Sequence, residues 1–149
     1  MSHRHSIGRE IATIARYLGL ILDSRLAHLG LGGLGAATIP ILTFLYENEG
    51  ASQDDVAESL QFNKSSAARA VARLEKDGYL TRAVDPDNRR RNILRTTKKA
   101  RLAKDEILQI LKGLTDDVYA DFSEADIEQY FHLTQIISAR VVQMLRETK

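Results

Sequence analysis

The sequence contains no cysteine and no tryptophan, has only two prolines, and carries five tyrosines and four phenylalanines in 149 residues. Without cysteine there is no disulfide scaffold, thiol nucleophile, cysteine zinc finger or thiol-based peroxide sensor. The absence also fits a reducing compartment. Long apolar runs are missing too. Tyr17–Leu22 is interrupted by Asp23 and Arg25, well short of the roughly 20 residues that a bilayer span requires. No cleavage-like segment follows it, so a secretory signal is not expected either. These absences predict a cytoplasmic chain with no membrane partner. What is present suits a folded chain: 44% hydrophobic and 28% charged residues can fill one ordinary domain or two small units.

A formal net charge of +1 conceals a strong asymmetry. Residues 60–104 hold 13 Lys and Arg against four Asp and Glu, a net of +9, and the rest of the chain carries −8. A basic centre within an acidic frame points to a local polyanion site, although a solvated charged face is the commoner origin of any one charge run.

Periodicity predicts the elements around that centre. Ile7, Ile11, Ile14, Leu18 and Ile21 form one stripe of a long helix running to about His28. It is stopped by Gly30, Gly32, Gly33 and Gly35. A second helix carries Ile39, Ile41, Leu42 and Leu45, with Pro40 in its first turn. Ser52-Gln53-Asp54-Asp55 has the form of a capping box opening a short helix with Val56, Ala57 and Leu60 inward. Asn63 is a suitable N-cap for a further helix to about Asp77, with Ala67, Ala70, Val71 and Leu74 inward and Gly78 as the stop. Tyr79–Val84 and Asn92–Thr96 flank the turn-forming Asp85-Pro86-Asp87-Asn88 and predict a hairpin. A long helix with Ile107, Ile110, Leu111, Leu114 and Val118 follows. A second capping box, Ser123-Glu124-Ala125-Asp126, opens a last helix with Ile127, Phe131, Thr134, Ile137, Val141 and Leu145 on one face.

Two short helices followed by a hairpin is the order of a winged helix-turn-helix. The second helix of such a pair presents its outer face to DNA. Here that face reads Lys64, Ser65, Ala68, Arg69, Ala72, Arg73 and Lys76. Arg69 and Arg73 are suited to read or flank the major groove, because a guanidinium bonds guanine O6 and N7 together. Lys64, Ser65 and Ser66 are suited to phosphate, aided by the amides of the helix N-terminus. Arg89, Arg90 and Arg91 at the hairpin tip repel one another, yet would meet concentrated negative potential in a narrow minor groove. A solubilising loop is the plainer account of the same three residues.

Asn63-Lys64-Ser65-Ser66, Arg69 and Leu74-Glu75-Lys76-Asp77-Gly78-Tyr79-Leu80-Thr81-Arg82 together resemble the MarR family of transcriptional regulators. Asp85-Pro86-Asp87-Asn88-Arg89-Arg90-Arg91, Thr97-Lys98-Lys99 and Glu49-Gly50-Ala51-Ser52-Gln53 extend the resemblance. It implies a mainly α fold with a small β-hairpin wing: a winged helix-turn-helix over residues 34–100, flanked by long dimerisation helices in 1–33 and 101–149. It also implies a homodimer that binds double-stranded DNA at a pseudo-palindromic operator, most often as a repressor. Three positions depart from the family pattern. Asn88 stands where an acid usually clamps the wing-tip arginine, Thr96-Thr97-Lys98-Lys99-Ala100 replaces the usual Leu-Thr-x-Lys-Gly, and Gly35 stands where a capping Thr is common.

The resemblance further implies a small-molecule effector, an aromatic or lipophilic acid, with Arg16, Tyr17, Phe44 and Tyr46 as candidate lining. Ordinary core and rim positions explain the same four residues. No cofactor is expected. His3 and His5 lack a full metal-ligand set, and His28 and His132 are isolated in sequence. Ser65 and Ser66 have no His/Asp partner in a nucleophile-elbow context, so an enzyme is not expected. Two rivals to an operator-specific regulator remain: a winged-helix module for an acidic protein partner, and a non-specific nucleoid-type DNA binder.

Overall fold

The computed structural model describes residues 7–148. Its elements follow the order α1 (Ile7–His28), α2 (Ile39–Glu47), α3 (Gln53–Ser59), α4 (Lys64–Lys76), β1 (Leu80–Val84), β2 (Asn92–Thr96), α5 (Lys98–Tyr119) and α6 (Glu124–Glu147). This is a mainly helical fold with one small hairpin, a winged helix-turn-helix flanked by helices. The candidate metal ligands His3 and His5 lie outside the described residues.

Local chemistry explains the boundaries. Ser52 and Asp55 form a reciprocal capping box at the start of α3, and Ser123 and Asp126 do the same at α6. The Asn63 side chain accepts the Ser66 amide at 2.7 Å and so caps α4. Gly78, at φ +79, ends α4 in the left-handed conformation. The Tyr79 N–H then reaches back to the Leu74 carbonyl at 2.8 Å. That bond delays the strand, so β1 starts at Leu80 and not at Tyr79 as the sequence predicts.

Gly35 has a structural reason. The Asp23 carboxylate of α1 accepts the Ala36 amide at 3.0 Å, and a Cβ on Gly35 would lie 2.5 Å from Asp23 Oδ1. A capping threonine at position 35 would collide with the group that caps the turn instead.

Two compact units divide the chain, one ending at Leu111 and the other beginning at Lys112. The first has a continuous core. Leu26 of α1, Ile41, Leu42 and Leu45 of α2, Val56 of α3, Ala67, Val71 and Leu74 of α4, Leu80 and Leu94 of the hairpin and Ile107 of α5 are all almost fully buried. Burying each large aliphatic side chain is worth about 1.5–3 kcal/mol, enough to hold α3, α4 and the hairpin as one body.

The hairpin is antiparallel, with Leu80 opposite Thr96 and Val84 opposite Asn92. A third segment joins its edge. Leu94 donates to the Ala51 carbonyl at 2.8 Å, Gly50 donates to the Leu94 carbonyl at 2.9 Å, and Ser52 pairs with Ile93. Glu49 secures this edge by accepting the Thr96 amide at 3.0 Å and the Thr96 hydroxyl.

In the second unit the end of α5 and the start of α6 meet through aromatic edges. Tyr119 lies 6.2–6.4 Å from Phe122, Tyr130 and Phe131, a geometry that adds about 0.5–1.5 kcal/mol per pair. No described residue from Lys112 onward is buried.

Candidate nucleic-acid interface

The inward stripe of α4 fixes what faces outward. With Ala67, Ala70, Val71 and Leu74 in the core, Lys64, Ser65, Arg69, Ala72, Arg73 and Lys76 are exposed along the opposite side. Three of the four basic groups have a local tether. Lys64 pairs with Asp54 at 3.5 Å, and Arg73 lies 3.9 Å from Asp77. Arg69 donates to the Ser66 hydroxyl at 3.2 Å, and the Ser65 hydroxyl donates to Asn63 Oδ1 at 2.9 Å. Ion pairs this exposed contribute at most about 1 kcal/mol, so the side chains can exchange these partners for an incoming anion at little cost.

Ser66 is placed differently from its neighbours. It is half-buried, its amide is committed to Asn63 and its hydroxyl holds Arg69. The N-terminal amides that the sequence offers to phosphate are therefore reduced by one.

The wing tip is an ordered loop. Asp85 Oδ1 accepts the Asp87 amide at 2.9 Å, and the Asp85 amide donates to the Arg91 carbonyl at 2.8 Å. Asn88 Oδ1 accepts the Arg90 amide at 3.1 Å, so the asparagine organises the tip through the backbone and makes no ionic clamp. Arg89 and Arg90 are exposed. Arg91 differs from its two neighbours, because its guanidinium donates to Asp55 of α3.

Sequence reasoning missed the groups that set the wing's position. Arg82 of β1 donates to Glu75 of α4 at 2.8 Å. Arg101 donates to the Thr96 carbonyl at 2.6 Å, and Lys99 donates to the Asp77 carbonyl at 2.7 Å while lying over the Tyr79 ring. Arg95 is a further exposed cation on β2. Only the basic composition of residues 60–104 hinted at these roles.

None of the hollows described here brings the four candidate effector residues together. Arg16 stacks on Tyr17, 4.9 Å from its ring centre, on an exposed part of α1. The hollow beside Tyr17 is otherwise lined by Leu20, Ile21, Ser24 and Arg25, without Phe44 or Tyr46. Tyr46 is occupied elsewhere: its hydroxyl donates to the Ala100 carbonyl at 2.6 Å and Lys104 lies over its ring. Burial, aided by nearby Tyr79, pushes its phenol up to about 12, so it stays a donor at physiological pH. Phe44 is half-buried on α2.

Among the described residues no group of three or more His, Asp or Glu is placed to hold a metal, and no helix is long and apolar enough to cross a membrane. His28 Nδ1 donates locally to the Ser24 carbonyl at 2.7 Å.

Residues 32–91 match a family profile described as MarR family. An uncharacterized HTH-type transcriptional regulator, YybA, of Bacillus subtilis (strain 168) is 32% identical over 97 residues, covering 65% of this chain and 63% of that protein. The chain spans about three-fifths of the length of the curated relatives it first matches. Among solved structures, the transcriptional regulator SlyA is 26% identical, with a TM-score of 0.84 over 97% of this chain and 99% of that one. A MarR protein from Peptoclostridium difficile DA00132 has the same fold, with a TM-score of 0.88 over 100% and 96% of the two chains at 22% identity. The profile covers the helix pair, β1 and the wing tip whose geometry is described above, and the solved structures extend the likeness across the flanking helices, so the chain is similar to the MarR family over most of its length.

Proposed function

We propose that the protein is a homodimeric transcriptional regulator that binds a pseudo-palindromic site in double-stranded DNA. The observation that carries this reading is the shared placement, in one packed unit, of the exposed basic face of α4 and the exposed wing-tip arginines. In this reading α4 enters the major groove. Arg69 and Arg73 read or flank bases, and Lys64 and Ser65 contact phosphate, with Ser66 holding Arg69. Arg89 and Arg90 enter the minor groove; Arg91 stands beside them, with its guanidinium held by Asp55.

The uncovered apolar faces support pairing with a second copy. Ile7, Ile11 and Ile14 on α1 and Ile136, Val141 and Leu145 on α6 are each at least half exposed in the single chain. A two-fold axis would set the two recognition helices about 34 Å apart, one turn of DNA. Repression by occlusion of a promoter, and release by an aromatic or lipophilic acid near Arg16 and Tyr17, complete the reading for a protein acting in the cytoplasm.

Selection of bound sites from random duplexes at near-physiological salt tests it, with a two-fold symmetric motif as the expected result. Arg69→Ala should relax preference at one position per half-site, costing about 1–3 kcal/mol there. Arg90→Ala should weaken binding to every duplex and reduce the salt slope by about one. Unchanged affinity in both variants would remove the assignment. Equal affinity for selected and random duplexes would favour a non-specific binder, and no duplex binding at all would favour a protein partner.

A further inference from the structure

Asp55 is the third residue of α3, and one of its carboxylate oxygens serves two elements. Oδ2 accepts the Ser52 amide at 2.8 Å, completing the capping box, and receives the Arg91 guanidinium from 36 residues away. Arg91 is fixed at its backbone as well. Its carbonyl accepts from Asp85 at 2.8 Å and its amide donates to the Asn88 carbonyl at 2.9 Å. The residue that closes the wing loop is thus held from inside the loop by its main chain and from outside by α3 through its side chain.

The middle of the hairpin has its own tie. Arg82 pairs with Glu75 and joins β1 to α4 at 2.8 Å. Five-residue strands joined by a polar loop have little apolar surface with which to orient a tip, and both Val84 and Asn92 at the loop end are exposed. An ion pair there does what packing cannot.

We propose that Asp55 and Arg91 are positioning residues: their pair sets the direction in which Arg89 and Arg90 leave the wing relative to α3 and α4. This rests on the DNA-binding reading above for its consequence, not for its geometry. Arg91, neutralised by Asp55, then makes no phosphate contact of its own. The hydrogen bonds from Ser52 hold the Asp55 carboxyl below the usual carboxylate range, with a smaller contribution from Arg91, so the anion needed for the pair persists through the physiological range.

The test compares Asp55→Asn, which retains an acceptor for Ser52, with Arg91→Ala and the double variant. The probe is a duplex carrying the motif selected by the unaltered protein. Each single variant should lower affinity roughly two- to fivefold, the range of an exposed ion pair. The double variant should be no weaker than the weaker single one, and the salt slope should not change. A salt slope lower by about one in Arg91→Ala, with Asp55→Asn binding as well as or better than the parent, would make Arg91 a direct phosphate contact and overturn the proposal. Fully additive losses would overturn it too.

A second measurement needs no DNA. In the free protein, Asp55→Asn should speed trypsin cleavage after Arg89 and Arg90 severalfold, beyond what its small loss of melting temperature accounts for, and an unchanged cleavage rate would refute the brace. Should Asp55→Asn melt early through its cap, Arg91→Ala leaves the capping box intact and cleavage after Arg89 and Arg90 in that variant decides the matter. If the unaltered protein selects no duplex, the functional reading fails while the cleavage result still stands or falls alone.

Discussion

Helix α4 has 13 residues and buries four of them; helix α6 has 24 and buries none. Both carry apolar residues at helical spacing, so the contrast lies in what meets the stripe. Up to Leu111, the faces of α2, α3, α4, the hairpin and the first half of α5 close on one another. Beyond it, Phe131, Ile136, Val141, Met144 and Leu145 are each at least half exposed. Amphipathic periodicity shows that a helix wants a partner and does not say which chain supplies it. The winged unit carries its stability within itself, whereas the terminal helices need a surface that the single chain lacks.

The hardest blow to that contrast comes from charging the uncovered stripe. If α6 packs on a second copy, Val141→Asp combined with Leu145→Asp places unpaired carboxylates in an apolar interface, at about 3–5 kcal/mol for a buried unpaired charge. Dimerisation should then weaken by about 100-fold or more, and sedimentation should show monomers where the parent forms dimers. Dimers of unchanged stability would mean that α6 does not face the partner.

A gentler pair of variants sharpens the same comparison. Leu74→Ala removes a fully buried side chain from the winged unit and should cost about 2–5 kcal/mol. Its urea midpoint should drop by an amount independent of protein concentration. Leu145→Ala, from an exposed site, should show a loss that depends on concentration, because the lost contacts lie between chains. A concentration-independent loss at both sites would erase the distinction between the units.

Each unit also holds one capping box, and the two acids respond alike to pH for the same main reason. Hydrogen bonds from Ser52 lower the Asp55 carboxyl and hydrogen bonds from Ser123 lower that of Asp126. A carboxyl depressed in the folded state contributes stability that is present above its unfolded value of about 3.9. That contribution is lost as pH falls through the lower folded value. Asp126→Asn should therefore flatten the fall in stability between neutral pH and the acid region, as read from melting curves over a pH series. The same substitution at Asp55 should flatten it further, since Arg91 also favours the charged form there. Identical acid limbs in parent and variants would show that the boxes do not form in solution.

The features legible in the sequence were those decided within a few residues. Caps at Ser52, Asn63 and Ser123 depend on a side-chain oxygen and an amide three positions on, and β2 emerged with its predicted bounds. The outward residues of α4 followed from its inward ones. What stayed hidden depends on partners far along the chain: Glu49 on Thr96 across 47 positions, Arg91 on Asp55 across 36, and the Ala51 segment on the edge of β2. Charge alone could not pick Asp55 from the other acids as the partner of Arg91, because the choice is made by how the hairpin folds onto α3. Arg16, Tyr17, Phe44 and Tyr46, grouped in the sequence by chemistry, have separate local partners that the sequence did not show: Tyr46 is tied to α5, while Arg16 and Tyr17 stack with each other.

The smallest expected effect concerns the turn between α3 and α4. Gln61 has φ +55, the only left-handed non-glycine among the described residues. It closes α3 in the manner of Gly78 at the end of α4: the Phe62 N–H reaches back to the Ala57 carbonyl at 2.9 Å. A side chain with a Cβ pays about 1 kcal/mol or more for this conformation. Gln61 recovers part of that by donating Nε2 to the Glu58 carbonyl at 2.8 Å. Gln61→Gly would relieve the strain but lose that bond and gain unfolded-state entropy, leaving a net stabilisation of about 0.5 kcal/mol. In urea the midpoint should rise slightly with no change in slope, and the gain should appear whether the protein is dilute or concentrated, because the turn belongs wholly to the self-sufficient unit. A loss of stability would mean that the Glu58 bond outweighs the strain, making the glutamine a cap in its own right.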